Sequence, residues 1–179
     1  MEPRDIEGDL TEILIEEEQI HTRLAELCRL IEADYAGKDL LLVGVLKGAV
    51  MVMADLAREL VHPITMDWMA VSSYGSGTQS SGVVRILKDL DTDLLGRNVL
   101  IVEDIIDSGL TLAYLRKNLL ARHPASVEVC ALLVREGLQK KDPDLKYVGF
   151  RIPPDFVVGY GLDVSDRYRN LPYVASYLG

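Results

Sequence analysis

The stretch Val99-Leu-Ile-Val-Glu-Asp-Ile-Ile-Asp-Ser-Gly-Leu-Thr-Leu112 carries an apolar run straight into two adjacent acids, then into a small-residue loop that leads into helix-forming sequence. These residue types in this order suit a sugar phosphate. Ser108 and Thr111 offer hydroxyls, and Gly109 lets backbone approach a ligand closely. The first turn of the following helix leaves N–H donors free where its dipole favours an anion. Asp107, Ser108, Gly109, Leu110 and Thr111 together form a candidate cradle for one phosphate monoester. Glu103 and Asp104, acceptor-only when ionised, suit a vicinal diol such as the 2- and 3-hydroxyls of ribose. Each piece alone has an ordinary explanation, since paired acids after a strand often form a solvated turn and Asp-Ser-Gly is a common helix cap. The length and order of the whole segment favour the ligand site.

The chain that must position this segment has 179 residues, 49% hydrophobic and 26% charged, a composition that predicts one globular domain over residues 1–179. Its 19 Lys and Arg against 28 Asp and Glu give a formal net charge of −9. Such a balance argues against a nucleic-acid partner or an anionic membrane surface, so phosphate has to be held locally. No apolar run approaches the ~20 residues of a bilayer span. The start Met1-Glu2-Pro3-Arg4-Asp5 is too acidic for a signal peptide, which predicts a cytoplasmic protein. Cys28 and Cys130 show no metal-ligand spacing and read as small core side chains in a reducing compartment.

Ile20, Leu24, Leu27, Ile31 and Tyr35 fall on one helical face, with Glu16 to Glu18 at its start and Gly37 at its end. Leu40 to Leu46 is apolar throughout, as in a strand covered on both faces, and Ala49 to Leu60 reads as the next helix. Ile64 to Val71 and Val83 to Leu87 read as strands, and Ser72 to Gly82 between them reads as a mobile surface loop. Val99 to Val102 is a buried strand, Glu103 to Leu110 a polar turn, Thr111 to Arg122 a helix and Val127 to Val134 a strand. From Asp142 onward, prolines punctuate short strands such as Phe156-Val-Val-Gly-Tyr160, which predicts a lobe folded over the sheet. Alternating strands and helices imply an α/β fold with a mainly parallel sheet, whose ligands lie at the carboxyl ends of the strands.

The Val99 to Leu112 segment resembles the phosphoribosyl pyrophosphate motif of the type I phosphoribosyltransferases, and the resemblance extends from Asp39 to Tyr173. Val45-Leu-Lys-Gly-Ala49 is similar to that family's pyrophosphate loop, and Ser72-Ser-Tyr-Gly75 to its flexible catalytic loop. Phe156 to Asp163 with Arg169 is similar to its base-binding and metal-binding end. The resemblance implies a mainly parallel twisted sheet flanked by helices, with a small hood lobe from the chain ends, and a homodimer or homotetramer. It implies transfer of the 5-phosphoribosyl group of phosphoribosyl pyrophosphate to N9 of a 6-oxopurine, hypoxanthine and guanine, giving IMP or GMP and pyrophosphate.

By position, Asp107 would be the general base facing purine N7, and Glu103 and Asp104 would hold the ribose hydroxyls. Lys47 and Gly48, joined to Leu46 by a cis peptide, would meet pyrophosphate together with Arg169. Phe156 would stack on the purine, the Val157 backbone would read its edge, and Ser73 and Tyr74 would touch the reacting centre as the 72–82 loop closes. Mg2+ is the implied cofactor, with Glu103, Asp104 and Asp163 as its carboxylates.

One residue departs from the family pattern. Arg135, in Leu132-Leu-Val-Arg-Glu136, stands where the family usually has a lysine that donates to the purine 6-oxo group. Arg135 either takes over that contact or faces solvent. Three rival readings stand beside this one. They are a phosphoribosyl pyrophosphate sensor that binds nucleic acid, which the charge disfavours, an enzyme of the same fold acting on adenine, orotate, uracil or xanthine, and a phosphate-binding domain without transferase activity.

Overall fold

Leu40-Leu-Leu-Val-Gly-Val-Leu46 has no polar face to offer water, and it becomes a central strand buried from both sides. The computed structural model describes residues 10–74, 83–139 and 143–178. In chain order its elements are β1 (Leu10–Ile15), α1 (Glu17–Asp34), β2 (Leu40–Leu46), α2 (Val50–Glu59), β3 (Thr65–Tyr74) and β4 (Val83–Lys88). These are followed by β5 (Asn98–Ile106), α3 (Leu110–Leu120), β6 (Ser126–Arg135), β7 (Tyr147–Ile152), β8 (Val157–Val158) and β9 (Val174–Tyr177).

The main sheet has the order β4-β3-β2-β5-β6-β7. Its pairings are parallel except β3 with β4. Strand alternation divides the core: Leu40 and Leu42 pack with Ile20, Leu24, Leu27 and Ile31 of α1 and with Val52, Met53 and Leu56 of α2. Leu41, Val43 and Val45 pack on the other side with Leu112, Leu115 and Leu119 of α3. Each fully buried Leu or Ile is worth about 1.5–3 kcal/mol before the entropy of ordering it is set against that gain. Helix α1 starts where Gln19 Oε1 accepts the Glu16 amide at 2.8 Å, with Glu17 and Glu18 in the first turn.

Four features differ from the sequence expectations. Strand β5 does not end at Val102 but continues to Ile106, with Glu103 opposite Ala131 and Ile106 opposite Val134 of β6. Ser72, Ser73 and Tyr74 are strand residues paired with Arg85, Val84 and Val83, so they do not open the expected loop, and its remainder, 75–82, lies outside the described residues. Strand β7 belongs to the main sheet as a parallel neighbour of β6, not to the lobe over it. Finally, β1 had no sequence signal. It pairs antiparallel with β9, and β9 with β8, so a three-stranded sheet is built from the two ends of the described chain. Cys28 and Cys130 are buried free thiols. Among the described residues, no helix is long and apolar enough to cross a membrane.

Candidate active site

The carboxyl ends of β2, β5 and β6 and the start of α3 bring the chemistry-bearing residues to one edge of the sheet. Because β5 runs through the acid pair, Glu103 and Asp104 project to opposite faces and do not form a side-by-side turn. Glu103 is 6% exposed. It lines a cavity of about 140 Å³ together with Val45, Asp107, Ser108, Gly109 and Thr111. Burial, followed by the charge of Asp104, pushes the Glu103 carboxyl well above the usual carboxylate range. Asp104 turns toward Gly48, where a Cβ would run into its Oδ2. Burial pushes Asp104 up to about 6, opposed by the Ile105 amide, which donates to Oδ1 at 2.8 Å, and by the charge of Arg169.

The small-residue loop is held as its composition suggests. Gly109 has φ 75, in the left-handed region, and directly precedes α3. The Ala113 amide donates to the Gly109 carbonyl at 2.9 Å, which leaves the amides of Thr111 and Leu112 uncommitted within the helix beside the cavity. Leu110 N lies 3.5 Å from Ser108 Oγ.

Asp107 connects this cavity to a second cluster. Its Oδ1 is 3.0 Å from Arg135 Nη1, and the Arg135 side chain is only 14% exposed, so this arginine does not face solvent. The guanidinium carbon lies 5.8 Å from the centroid of the Phe156 ring. Gln139, which the sequence did not single out, donates from Nε2 to the Asp107 carbonyl at 3.0 Å and also to the Arg135 carbonyl. Phe156 is exposed, and its ring meets Tyr177 in a T-shaped arrangement with centroids 5.9 Å apart. Val157 is buried in β8 and pairs with Ser176 of β9.

On the other side of Asp104 the Leu46–Lys47 peptide is cis, as the resemblance implied. Lys47 Nζ lies 3.0 Å from Asp166 Oδ1. Arg169 reaches the same oxygen at 3.0 Å and Asp163 Oδ1 at 2.7 Å, and it donates to the Gly161 carbonyl at 2.7 Å. Asp163 Oδ2 accepts the Asp166 amide at 2.8 Å. Asp166 was not singled out in the sequence, where its only signal is the density of charge between Asp163 and Arg169. The backbones of Ser73 and Tyr74 end β3 at the same edge of the sheet. Among the described residues, no three His, Cys, Asp or Glu side chains are grouped closely enough to hold a metal by themselves.

The phosphoribosyl transferase domain family model matches residues 11–165. The chain is 55% identical to the hypoxanthine-guanine phosphoribosyltransferase of Mycobacterium avium, over 94% of this chain and 86% of that protein. It is 47% identical to the hypoxanthine phosphoribosyltransferase of Escherichia coli strain K12, over 93% of this chain and 95% of that one. A crystal structure of a hypoxanthine phosphoribosyltransferase from Staphylococcus aureus superposes with a TM-score of 0.93 at 42% identity, covering 99% of this chain and 96% of that one. These likenesses span both sheets and the β5-to-α3 segment that carries the acids and the phosphate loop, and by them the chain belongs to the type I phosphoribosyltransferase family.

Proposed function

We propose that the protein transfers the 5-phosphoribosyl group of phosphoribosyl pyrophosphate to N9 of hypoxanthine and guanine, a purine-salvage reaction that gives IMP or GMP and releases pyrophosphate. The observation that carries this reading is the placing of Asp107 between the phosphate cavity and the Arg135 and Phe156 pair. A purine lying on Phe156 presents N7 to Asp107 and its 6-oxo group to Arg135. As the N9 lone pair bonds to the anomeric carbon, the bond to pyrophosphate breaks with its electron pair, and the N7 proton passes to Asp107. General-base help of this kind is typically worth about 10² to 10⁴ in rate. The 5-phosphate sits at the Ser108 to Thr111 loop, where uncommitted helix amides meet it. Glu103, inside that cavity, faces the ribose side.

Mg2+ fits the donor set. Asp104 and Asp163 are hard oxygen donors linked through Arg169, which pairs with Asp163 and whose charge acts on Asp104. A cation there would offset the desolvation that disfavours the ionised Asp104 carboxylate. Asp104 and Asp163 would hold the ion, which would supply positive charge against the negative charge that develops on the leaving pyrophosphate. Lys47 and Arg169 complete the positive lining of that subsite. The protein acts in the cytoplasm as a homodimer or homotetramer, without a nucleic-acid partner.

The test is pyrophosphate release from phosphoribosyl pyrophosphate and Mg2+ with hypoxanthine, guanine, xanthine, adenine and uracil offered singly. Turnover with hypoxanthine and guanine well above adenine and uracil is expected. Release with none of the five bases overturns the reading in favour of a binding domain, and preference for adenine or uracil overturns the assigned base.

A further inference from the structure

Two cations assigned to pyrophosphate already share an anion in the free protein. Lys47 Nζ and Arg169 Nη2 each stand 3.0 Å from the same oxygen, Asp166 Oδ1. The turn that delivers this carboxylate is wound in an unusual way. Ser165, Asp166 and Tyr168 have φ of 52, 60 and 74, a region that residues with side chains seldom enter. The Asp163 carboxylate clamps the turn through the Asp166 amide, and the Val164 and Arg167 backbones bridge across it. Lys47 and Arg169 thereby face the two carboxylates of this turn, Asp163 and Asp166.

We propose that Asp166 is an internal stand-in for the leaving group: its carboxylate occupies the place of a pyrophosphate oxygen between Lys47 and Arg169 and is displaced when pyrophosphate arrives. Asp166 thereby sets the affinity of the subsite and eases departure of the product. The two acids that flank Arg169 differ in the way this requires. Asp163 is 28% exposed and 2.7 Å from Arg169, so it stays as the anchor. The Lys47 and Asp166 side chains are 66% and 64% exposed, so an anion from solvent reaches them and competes with a weak, screened pair.

The inference rests on the assignment of Lys47 and Arg169 to pyrophosphate, and the experiment separates the two. Inhibition by magnesium pyrophosphate against phosphoribosyl pyrophosphate, and its direct binding by calorimetry, are measured on the full chain for wild type, Asp166→Asn, Asp166→Ala and Asp166→Glu. The Asn and Ala variants should bind pyrophosphate about three- to tenfold more tightly, because exposed ion pairs no longer compete. Asp166→Glu, which keeps the charge, should stay near wild type, and the gain from Asp166→Asn should shrink in a Lys47→Met background. A role confined to shaping the turn moves affinity the other way, so weaker or unchanged pyrophosphate binding in folded Asn and Ala variants overturns the inference. If both variants fail to fold, an Asp166→Glu enzyme with much altered pyrophosphate affinity, or a wild-type affinity that Lys47→Met leaves unchanged, overturns it. A wild type that releases pyrophosphate normally while its Asp166 variants show no gain defeats this inference alone. A wild type that neither turns over nor binds pyrophosphate defeats the proposed function.

Discussion

Gly48→Ala tests how tightly the pyrophosphate loop is built against the acid behind it. The new Cβ would overlap Asp104 Oδ2 and stand 2.5 Å from its Cγ, where ordinary contact begins at 3.4 Å. The carboxyl group has to retreat by about 1 Å, in a packed interior that does not yield freely. Asp104 Oδ1 is held by the Ile105 amide at 2.8 Å. The loop cannot back away either, because the Gly48 carbonyl is pressed against Gly161, where a Cβ would also clash. Overpacking of this kind typically costs about 1–3 kcal/mol. For a chain of this size that lowers Tm by about 2–12 °C. Displacing a ligand-holding group by about 1 Å costs on the order of 10² in rate. The assays are kcat/KM for phosphoribosyl pyrophosphate, expected to fall about 100-fold, and a thermal melt followed by circular dichroism. A Gly48→Ala protein with wild-type kcat/KM and an unchanged melt would refute the packing argument.

Arg135→Ala removes both the ion pair to Asp107 and the cation beside Phe156, so KM for hypoxanthine and guanine should rise about tenfold or more and their advantage over adenine should narrow, while Arg135→Lys stays active. Steady-state kinetics on the three bases check this, and an unchanged base preference in the Ala variant would show that another donor reads the 6-oxo group. Asp34 accepts the Tyr147 hydroxyl at 2.6 Å and pairs with Lys146 at 3.0 Å, contacts that hold its carboxyl below the usual range. A depressed folded-state pKa adds stability above the unfolded value, about 3.9, and loses it as pH falls through the folded value. Asp34→Asn should therefore lower Tm at pH 7 by an amount that vanishes in acid, and a pH-independent difference counts against the charge. Chelation should abolish turnover and leave the circular dichroism spectrum intact, whereas unfolding in chelator would point to a structural ion.

The segments legible in the sequence are those whose apolar pattern is complete within one local window. Leu40 to Leu46 reads as a two-face-buried strand because none of its own residues is polar, and the α1 face is visible because helical periodicity repeats over five positions. The sequence ends β5 at Val102 because Glu103 and Asp104 resemble a turn. They remain in the strand because its end enters the site, where local rules yield to function. The Leu10–Ile15 strand carries too little alternation to reveal itself, and it is stabilised by Val174–Tyr177 at the opposite end of the chain, a pairing that no local window contains. The same distinction governs the site. Asp107, the phosphate loop and the acids lie in one contiguous stretch and were legible together. Arg135 and Phe156 lie far from Asp107 in sequence, and only the family resemblance links them to it. Gln139 and Asp166 act through backbone and cation contacts that depend on loop geometry, so their chemistry becomes visible only in three dimensions.

The most direct measurement is single-turnover kinetics of Asp107→Asn with hypoxanthine, alongside the dissociation constant of magnesium phosphoribosyl pyrophosphate. The substitution keeps the shape of the side chain and removes its capacity to take the N7 proton. The account expects the chemical step to slow by about 10² or more while phosphoribosyl pyrophosphate binds nearly as in wild type. A near-normal chemical step would contradict the account, leaving Asp107 as the residue that caps the phosphate loop and orients Arg135.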